Sequence, residues 1–182
     1  MVLAVHSNAS HLSKTKARSQ AGGHFYMLNG MDNPRNNGVV LNISTIIKAV
    51  MSSAVEAKLG ALYIDACKAI VAWNILQEMG HKQPRTPIQC DNSTAIGVMN
   101  NKIQPKRTKA MCMRYHWLQD REMQGQFCFY WKPGKQNLAD YWTKHHCPAH
   151  HTEMKKHILT PTTMITALQA SLSRQARAAP AA

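Results

Sequence analysis

From Val55 onward, apolar residues recur at intervals of three and four: Val55, Leu59, Leu62, Ala66, Ile70 and Trp73. That spacing lays one buried stripe along a long helix that stops near Gly80. Such a helix needs a surface to cover, and its flanking segments supply a sheet. Residues 2–7 are mostly apolar and run into Ser7-Asn8-Ala9-Ser10, as a strand that stops at a polar loop would, and the basic residues 14–18 continue that loop. Gly22-Gly23 opens an apolar run over 24–28. A turn-rich Asn29-Gly30-Met31-Asp32-Asn33-Pro34 separates it from residues 39–47, which predicts two further strands joined as a hairpin. After the helix, Pro84 and Pro87 bound a short strand over 88–90, and a strand–helix–strand unit places it parallel to the first strand. A short helix over 93–100, a helix over 106–124 ending at Gly125, an aromatic strand over 127–131, a Pro133-Gly134 turn and a final helix over 137–145 complete the order. The expected fold class is α/β: a mixed five-stranded sheet, three antiparallel strands and then parallel additions, flanked by helices.

The chain has 182 residues, 45% of them hydrophobic, enough for one domain with a single core. We expect that domain over 1–145, a C-terminal extension over 146–169, and a disordered Ala-, Arg- and Ser-rich tail over 170–182. The 22 Lys and Arg against nine Asp and Glu give a net charge of +13, which favours polyanionic partners, nucleic acid first, with salt-sensitive binding. Five scattered cysteines without a C-x-x-C pair argue against a disulfide framework or a zinc ribbon and predict a reduced, intracellular compartment. No apolar run looks long enough to span a bilayer, and the first residues lack the basic flank of a signal peptide, so a membrane is not an expected partner.

Against so few acids, three are placed at helix mouths: Glu56, Asp91 at the end of the short parallel strand, and Asp140. Carboxylates converging from strand ends and helix starts suit magnesium, and a pair of ions can activate water and stabilise the leaving oxygen of a phosphoryl displacement. Each acid alone has a plainer reading. Ser53-x-x-Glu56 is a capping box, Asn137-x-x-Asp140 resembles one, and Asp91 before a helix gains from the macrodipole.

In this order the segments resemble the ribonuclease H domain of copia-type LTR retrotransposon polyproteins. The matching stretches are Ser7 to Ser13, Lys16 to Gly23, Ser52-Ser53-Ala54-Val55-Glu56-Ala57, Asp91-Asn92-Ser93-Thr94-Ala95, and Trp131 to Lys144, within about residues 1–151. The resemblance implies an RNase H-like fold and endonucleolytic hydrolysis of the RNA strand of RNA·DNA hybrids with two Mg2+ ions, Mn2+ being the alternative. It also implies a metal-binding Asp-Glu-Asp-Asp set. Glu56, Asp91 and Asp140 fall on three of those positions. On the first, where the family has a metal-bridging Asp, this chain has Asn8. An amide brings one carbonyl acceptor and no charge, so turnover is expected to suffer severely while binding survives, and Asn8→Asp is expected to restore cleavage. Like the family it resembles, the chain lacks the His-containing loop that cellular ribonucleases H carry before the last acid; Trp131-Lys132-Pro133-Gly134 stands there.

Lys106, Arg107, Lys109 and Arg114 open the third helix, with Arg107 and Arg114 on one face, able to follow a phosphate track; the plainer reading is a solvated helix face. Trp117, Leu118, Trp73 and the eleven methionines read as core. His145, His146, Cys147, His150, His151 and His157 lack zinc-site spacing and read as a solvated loop. The chain starts almost at its first strand, as a fragment lacking an upstream polymerase would. The expected partners are hybrid or other nucleic acid and the reverse transcriptase portion of the same polyprotein, in the cytoplasm within a virus-like particle or in the nucleus. The competing reading is a non-catalytic nucleic-acid-binding or structural module.

Overall fold

Strand β1 (Val2–Lys14) pairs antiparallel with β2 (Arg18–Leu28), which pairs antiparallel with β3 (Val39–Ile46). Helix α1 (Ala54–Glu78) then crosses to β4 (Thr86–Cys90), which lies parallel to β1, and β5 (Phe127–Trp131) extends the sheet beside β4. The strand order is β3-β2-β1-β4-β5. This computed structural model describes residues 1–28, 38–100 and 112–159. The expected hairpin turn, Lys106, Arg107, Lys109 and the tail over 170–182 lie outside the described residues. The chain divides into one compact unit, Met1–His146, and a second that begins at Cys147. Within the second, α4 (Pro148–Ile158) forms where a polar extension is expected, with a proline in its first turn.

Alternation on β1 decides the layers, because successive side chains leave opposite faces of the sheet. Leu3, Val5 and Ala9, with Ala21 and Phe25 of β2, are buried against Leu59, Leu62, Ala66 and Ala69 of α1. By length and composition α1 would pass for a membrane span, and its apolar side is core here. The short helix α2 (Ser93–Met99) and α3 (Cys112–Met123) pack against α1, and both reach β5. Leu118 and Met99 enter the core, and Trp73 and Trp117 pack on it half-buried. The methionines are divided: Met51 and Met99 are buried, whereas Met113 and Met123 are exposed.

The opposite face of β1 and β2 is covered by a short 3-10 turn, Leu138–Trp142, where the sequence predicts a final helix. Asn137 sets this turn by accepting from the Ala139 N–H at 3.0 Å and donating to the Ser7 carbonyl at 2.9 Å. Gly22 makes the close approach possible: a β-carbon there would lie 2.6 Å from Thr143 Cγ2 and 2.7 Å from the Ala139 carbonyl oxygen. On the other face, a β-carbon at Gly23 would lie 2.4 Å from Asp65 Oδ1. The double glycine is therefore strand interior, pressed from both sides, and not the strand opening expected from the sequence. Likewise Ser7 and Asn8 are buried in the ladder, paired with Gly23 and Gly22, and do not belong to a loop. Antiparallel pairing on one flank satisfies their backbone, so local polarity does not end the strand.

Two buried titratable groups follow from these layers. Asp65 is fully buried on α1 beneath Ser7, neither of its oxygens has a well-formed hydrogen bond, and burial raises its pKa well above 3.8. His6, on the opposite face, accepts from the Leu138 N–H at Nδ1 (3.1 Å), so Nε2 carries the proton toward the Tyr26 hydroxyl, 2.8 Å away. Burial, then the neighbouring His24 and Lys132, lower its pKa from 6.5 to about 3.

Burial disfavours the charged form of both groups, and their linkages oppose each other. The raised Asp65 value makes stability fall as pH rises above 3.8, levelling off above its folded pKa; the lowered His6 value makes stability fall as pH drops below 6.5. Above 3.8 and below 6.5, where both groups act, the two slopes have opposite signs. Urea unfolding across pH is expected to show Asp65→Asn removing the loss on the alkaline side and leaving a slope of up to about 1.4 kcal/mol per pH unit below 6.5. An unchanged profile would return Asp65 to a charged state. Gly22→Val is expected to lower stability by about 1–3 kcal/mol through overpacking against the 3-10 turn, as read by the same titration.

Candidate functional site

The site lies where two parallel strands part. β1 and β4 pair at Val5↔Ile88 and His6↔Gln89, and the ladder between them ends there. Two residues further along, Asn8 on β1 and Asp91 after β4 flank the opening. The 3-10 turn brings Asp140 to the same place, with Asn8 Nδ2 donating to Asp140 Oδ1 at 2.7 Å. Asn8 thus contacts Asp140 directly and is linked to Asp91 through the Lys58 ammonium.

The fourth side chain in the cleft is Lys58. Its ammonium donates to Asp91 Oδ1 at 2.6 Å and to Asn8 Oδ1, while Asn8 Oδ1 also accepts from the Ala9 N–H at 2.8 Å. Lys58 and Asp91 are largely withdrawn from solvent, with side chains 13% and 20% exposed, so the pair is less screened than a surface ion pair. A second lysine, Lys144, donates to Asp140 Oδ1 at 2.7 Å from one turn further along the chain. Asp91 is hemmed in from the far side by the Pro133-Gly134 turn, where a β-carbon on Gly134 would sit 3.4 Å from its Oδ2. The Trp131 indole N–H donates to the Asp91 carbonyl at 3.1 Å.

Glu56 does not join this cluster. Its Oε2 accepts from the Ser52 N–H and the Ser52 hydroxyl, both at 2.5 Å, while its own N–H donates to Ser53 Oγ at 3.1 Å. This is the capping arrangement that the Ser53-x-x-Glu56 spacing allows, with the carboxylate reaching one residue beyond the cap. At about 100° per residue, Glu56 and Lys58 lie roughly 160° apart around α1, so only one of them can face the cleft. The expectation that Glu56 supplies a ligand is corrected on that ground. Asp65 offers no replacement, being enclosed in the core.

These residues do not fit a two-metal centre. Such a centre needs several carboxylates converging on the ions. Here two carboxylates, Asp91 and Asp140, meet two ammonium groups and a neutral amide, so the cleft carries no formal charge excess. Among the described residues no three His, Cys, Asp or Glu side chains are grouped to hold a metal ion. The Asn8 amide suits this state. Its oxygen faces an ammonium and its N–H a carboxylate, whereas an aspartate there would set two carboxylates about 2.7 Å apart with nothing between them.

Of the predicted nucleic-acid contacts, Arg114 alone is among the described residues. Its guanidinium lies over the Tyr63 ring, 5.5 Å from the centroid, as a cation–π contact. At the rim of the cleft, Trp131 is half exposed and Lys132 lies over the Tyr130 ring at 5.8 Å. Lys58 and Lys144 escape sequence inspection because nothing in their spacing separates them from the other surface lysines. The only available signal is that Lys58 borders the apolar stripe at three residues from Val55 and four from Leu62.

No protein-family model matches the chain. Among curated proteins it is similar to the retrovirus-related Pol polyprotein from transposon TNT 1-94 of Nicotiana tabacum, with 26% identity over 119 residues, 65% of this chain and 8% of that polyprotein. The chain thus spans less than a tenth of the curated relative it matches. Among solved structures, it is similar to the N-terminal RNase H domain of a Mycobacterium tuberculosis protein solved as a fusion with maltose-binding protein. The TM-score is 0.57 at 13% identity, covering 78% of this chain and 90% of that one. It is similar also to LC11-RNase H1, isolated from compost, with TM-score 0.56 and 10% identity over 77% of this chain and 91% of that one. A second structure of that enzyme, in complex with RNA/DNA hybrid, has TM-score 0.52 and 13% identity over 77% and 92%. At these identities the solved structures speak to the fold, and the sequence match speaks to the kind of gene product. Taken together, the sheet order, the element order and these likenesses give the chain an RNase H-like fold, with sequence similarity to a short part of a retrotransposon Pol polyprotein.

Proposed function

We propose that this domain binds RNA·DNA hybrid or a related duplex as a non-hydrolysing module of a copia-type polyprotein. The observation that carries this reading is the Lys58 ammonium set between Asn8 and Asp91 in the cleft where catalysis would take place. The resemblance would have Mg2+ or Mn2+ drive hydrolysis there, and the donor set of this chain does not suit that chemistry. Binding is another matter. The charge of +13, Arg114 and the aromatic and basic rim at Trp131 and Lys132 favour a phosphate backbone, and the likeness to an RNase H1 solved with RNA/DNA hybrid favours hybrid as the ligand. Arg107, Lys106 and Lys109 would extend the same track, and the reverse transcriptase portion of the polyprotein would be the neighbour that delivers the duplex.

Fluorescence anisotropy with labelled hybrid is expected to give salt-dependent binding by the parent protein, with no Mg2+-dependent release of RNA fragments above background. Asn8→Asp alone is expected to leave cleavage at background, because Lys58 still occupies the cleft. Efficient cleavage by the parent would overturn the proposal. Arg114→Ala is expected to weaken hybrids of any sequence alike and to reduce the slope of log K against log salt by about one. An unchanged slope would remove Arg114 from the contact surface.

A further inference from the structure

We infer that Lys58 is a tethered counter-cation that takes the place of a divalent ion, so that this edge of the fold is complete and charge-balanced without metal. The inference deepens the proposal above and rests on its reading of the site, yet it is tested without nucleic acid, so that its failure and the failure of hybrid binding can be told apart.

Three observations converge on it. The ammonium lies where the parting of β1 and β4 leaves Asn8 and Asp91 facing each other, and it contacts an oxygen of each. A primary ammonium is compact and carries three donors, so it can bridge oxygen ligands in a cleft as a small cation would, but with a single charge and no exchangeable water. The side chain is mostly buried and projects from the N-terminal half of a long helix packed on the sheet, so its position is set by the fold and not by a mobile loop. Finally, the partners are matched to it. Asn8 offers Lys58 its oxygen and Asp140 its N–H, and Lys144 neutralises the remaining carboxylate. A divalent ion entering this cleft would have to displace Lys58 and would then find one neutral amide and two carboxylates.

Two measurements decide the matter. In the parent protein, lysine acylation read by mass spectrometry is expected to show Lys58 slow to react, and equally slow with and without MgCl2. Thermal unfolding is expected to shift with MgCl2 no more than with NaCl at matched ionic strength. A rise of several-fold in Lys58 acylation on adding Mg2+ would mean that the ion displaces the ammonium, and would overturn the inference. The second measurement is Mn2+ and Mg2+ titration by calorimetry of the parent, of Lys58→Gln, and of the double variant Asn8→Asp with Lys58→Glu. The double variant is expected to bind either ion saturably and to melt higher in its presence, with Lys58→Gln intermediate and the parent silent. If the variants fold, as judged by circular dichroism, and bind metal no better than the parent, then Lys58 is not what excludes metal and the inference fails. Should a variant not fold, the acylation result on the parent decides alone.

Discussion

The parting of β1 and β4 after a two-residue parallel ladder is the constraint on which the rest of the functional edge depends. Parallel strands pair through evenly spaced, slanted hydrogen bonds, and where the pairing stops both strands present polar groups that something must satisfy. Along most of its length β1 is closed on its other side by β2, which leaves the opening toward β4 as the place where side chains from different layers can meet. Asn8 comes from the strand, Asp91 from the end of the next, Asp140 from the 3-10 turn on one face and Lys58 from the helix on the other. Four separate segments are tied across one gap.

Removing Asn8 or Asp91 would strip the mostly buried Lys58 ammonium of one of its partners, which costs more than the net worth of the contact itself. The same logic makes Asn8 and Lys58 a matched pair of residues. An amide at position 8 tolerates an ammonium on one side and a carboxylate on the other. A carboxylate there would need an additional cation to offset Asp140. The Lys58 cleft therefore stands as a self-neutralised version of an arrangement that, with acids in the same places, would attract ions.

Away from the cleft, the two faces of the sheet are built differently. The α1 face is a conventional apolar core interrupted by one enclosed carboxyl, Asp65, and the opposite face carries the polar and aromatic group of His6, His24 and Tyr26, with ring centroids 5.0 to 6.2 Å apart. Through the Leu138 N–H, His6 ties β1 to the turn that carries Asp140, so a residue that touches no ligand helps to place one member of the cluster. The glycine pair at 22–23 is what allows both layers to come this close.

Much of this was legible in the chain. The switch from strand patterning to a three-four period, Pro84 before β4 and the aromatic run of β5 determined the order of elements, and with it the sheet. Asp91 and Asp140 lie at the ends of elements and Asn8 inside β1, and hydrogen bonds through Asn8 and Lys58 link the three. Position 56 could not be settled this way. Glu56 and Lys58 flank the buried stripe of α1 on opposite sides, each about 80° from its centre, so local pattern gives both the same standing. Which flank faces the cleft depends on how α1 is rotated as Leu59, Leu62, Ala66 and Ala69 seat on the sheet, a property of the packed layers and not of the helix. Only the tertiary structure decided that a lysine, and not a glutamate, stands between Asn8 and Asp91.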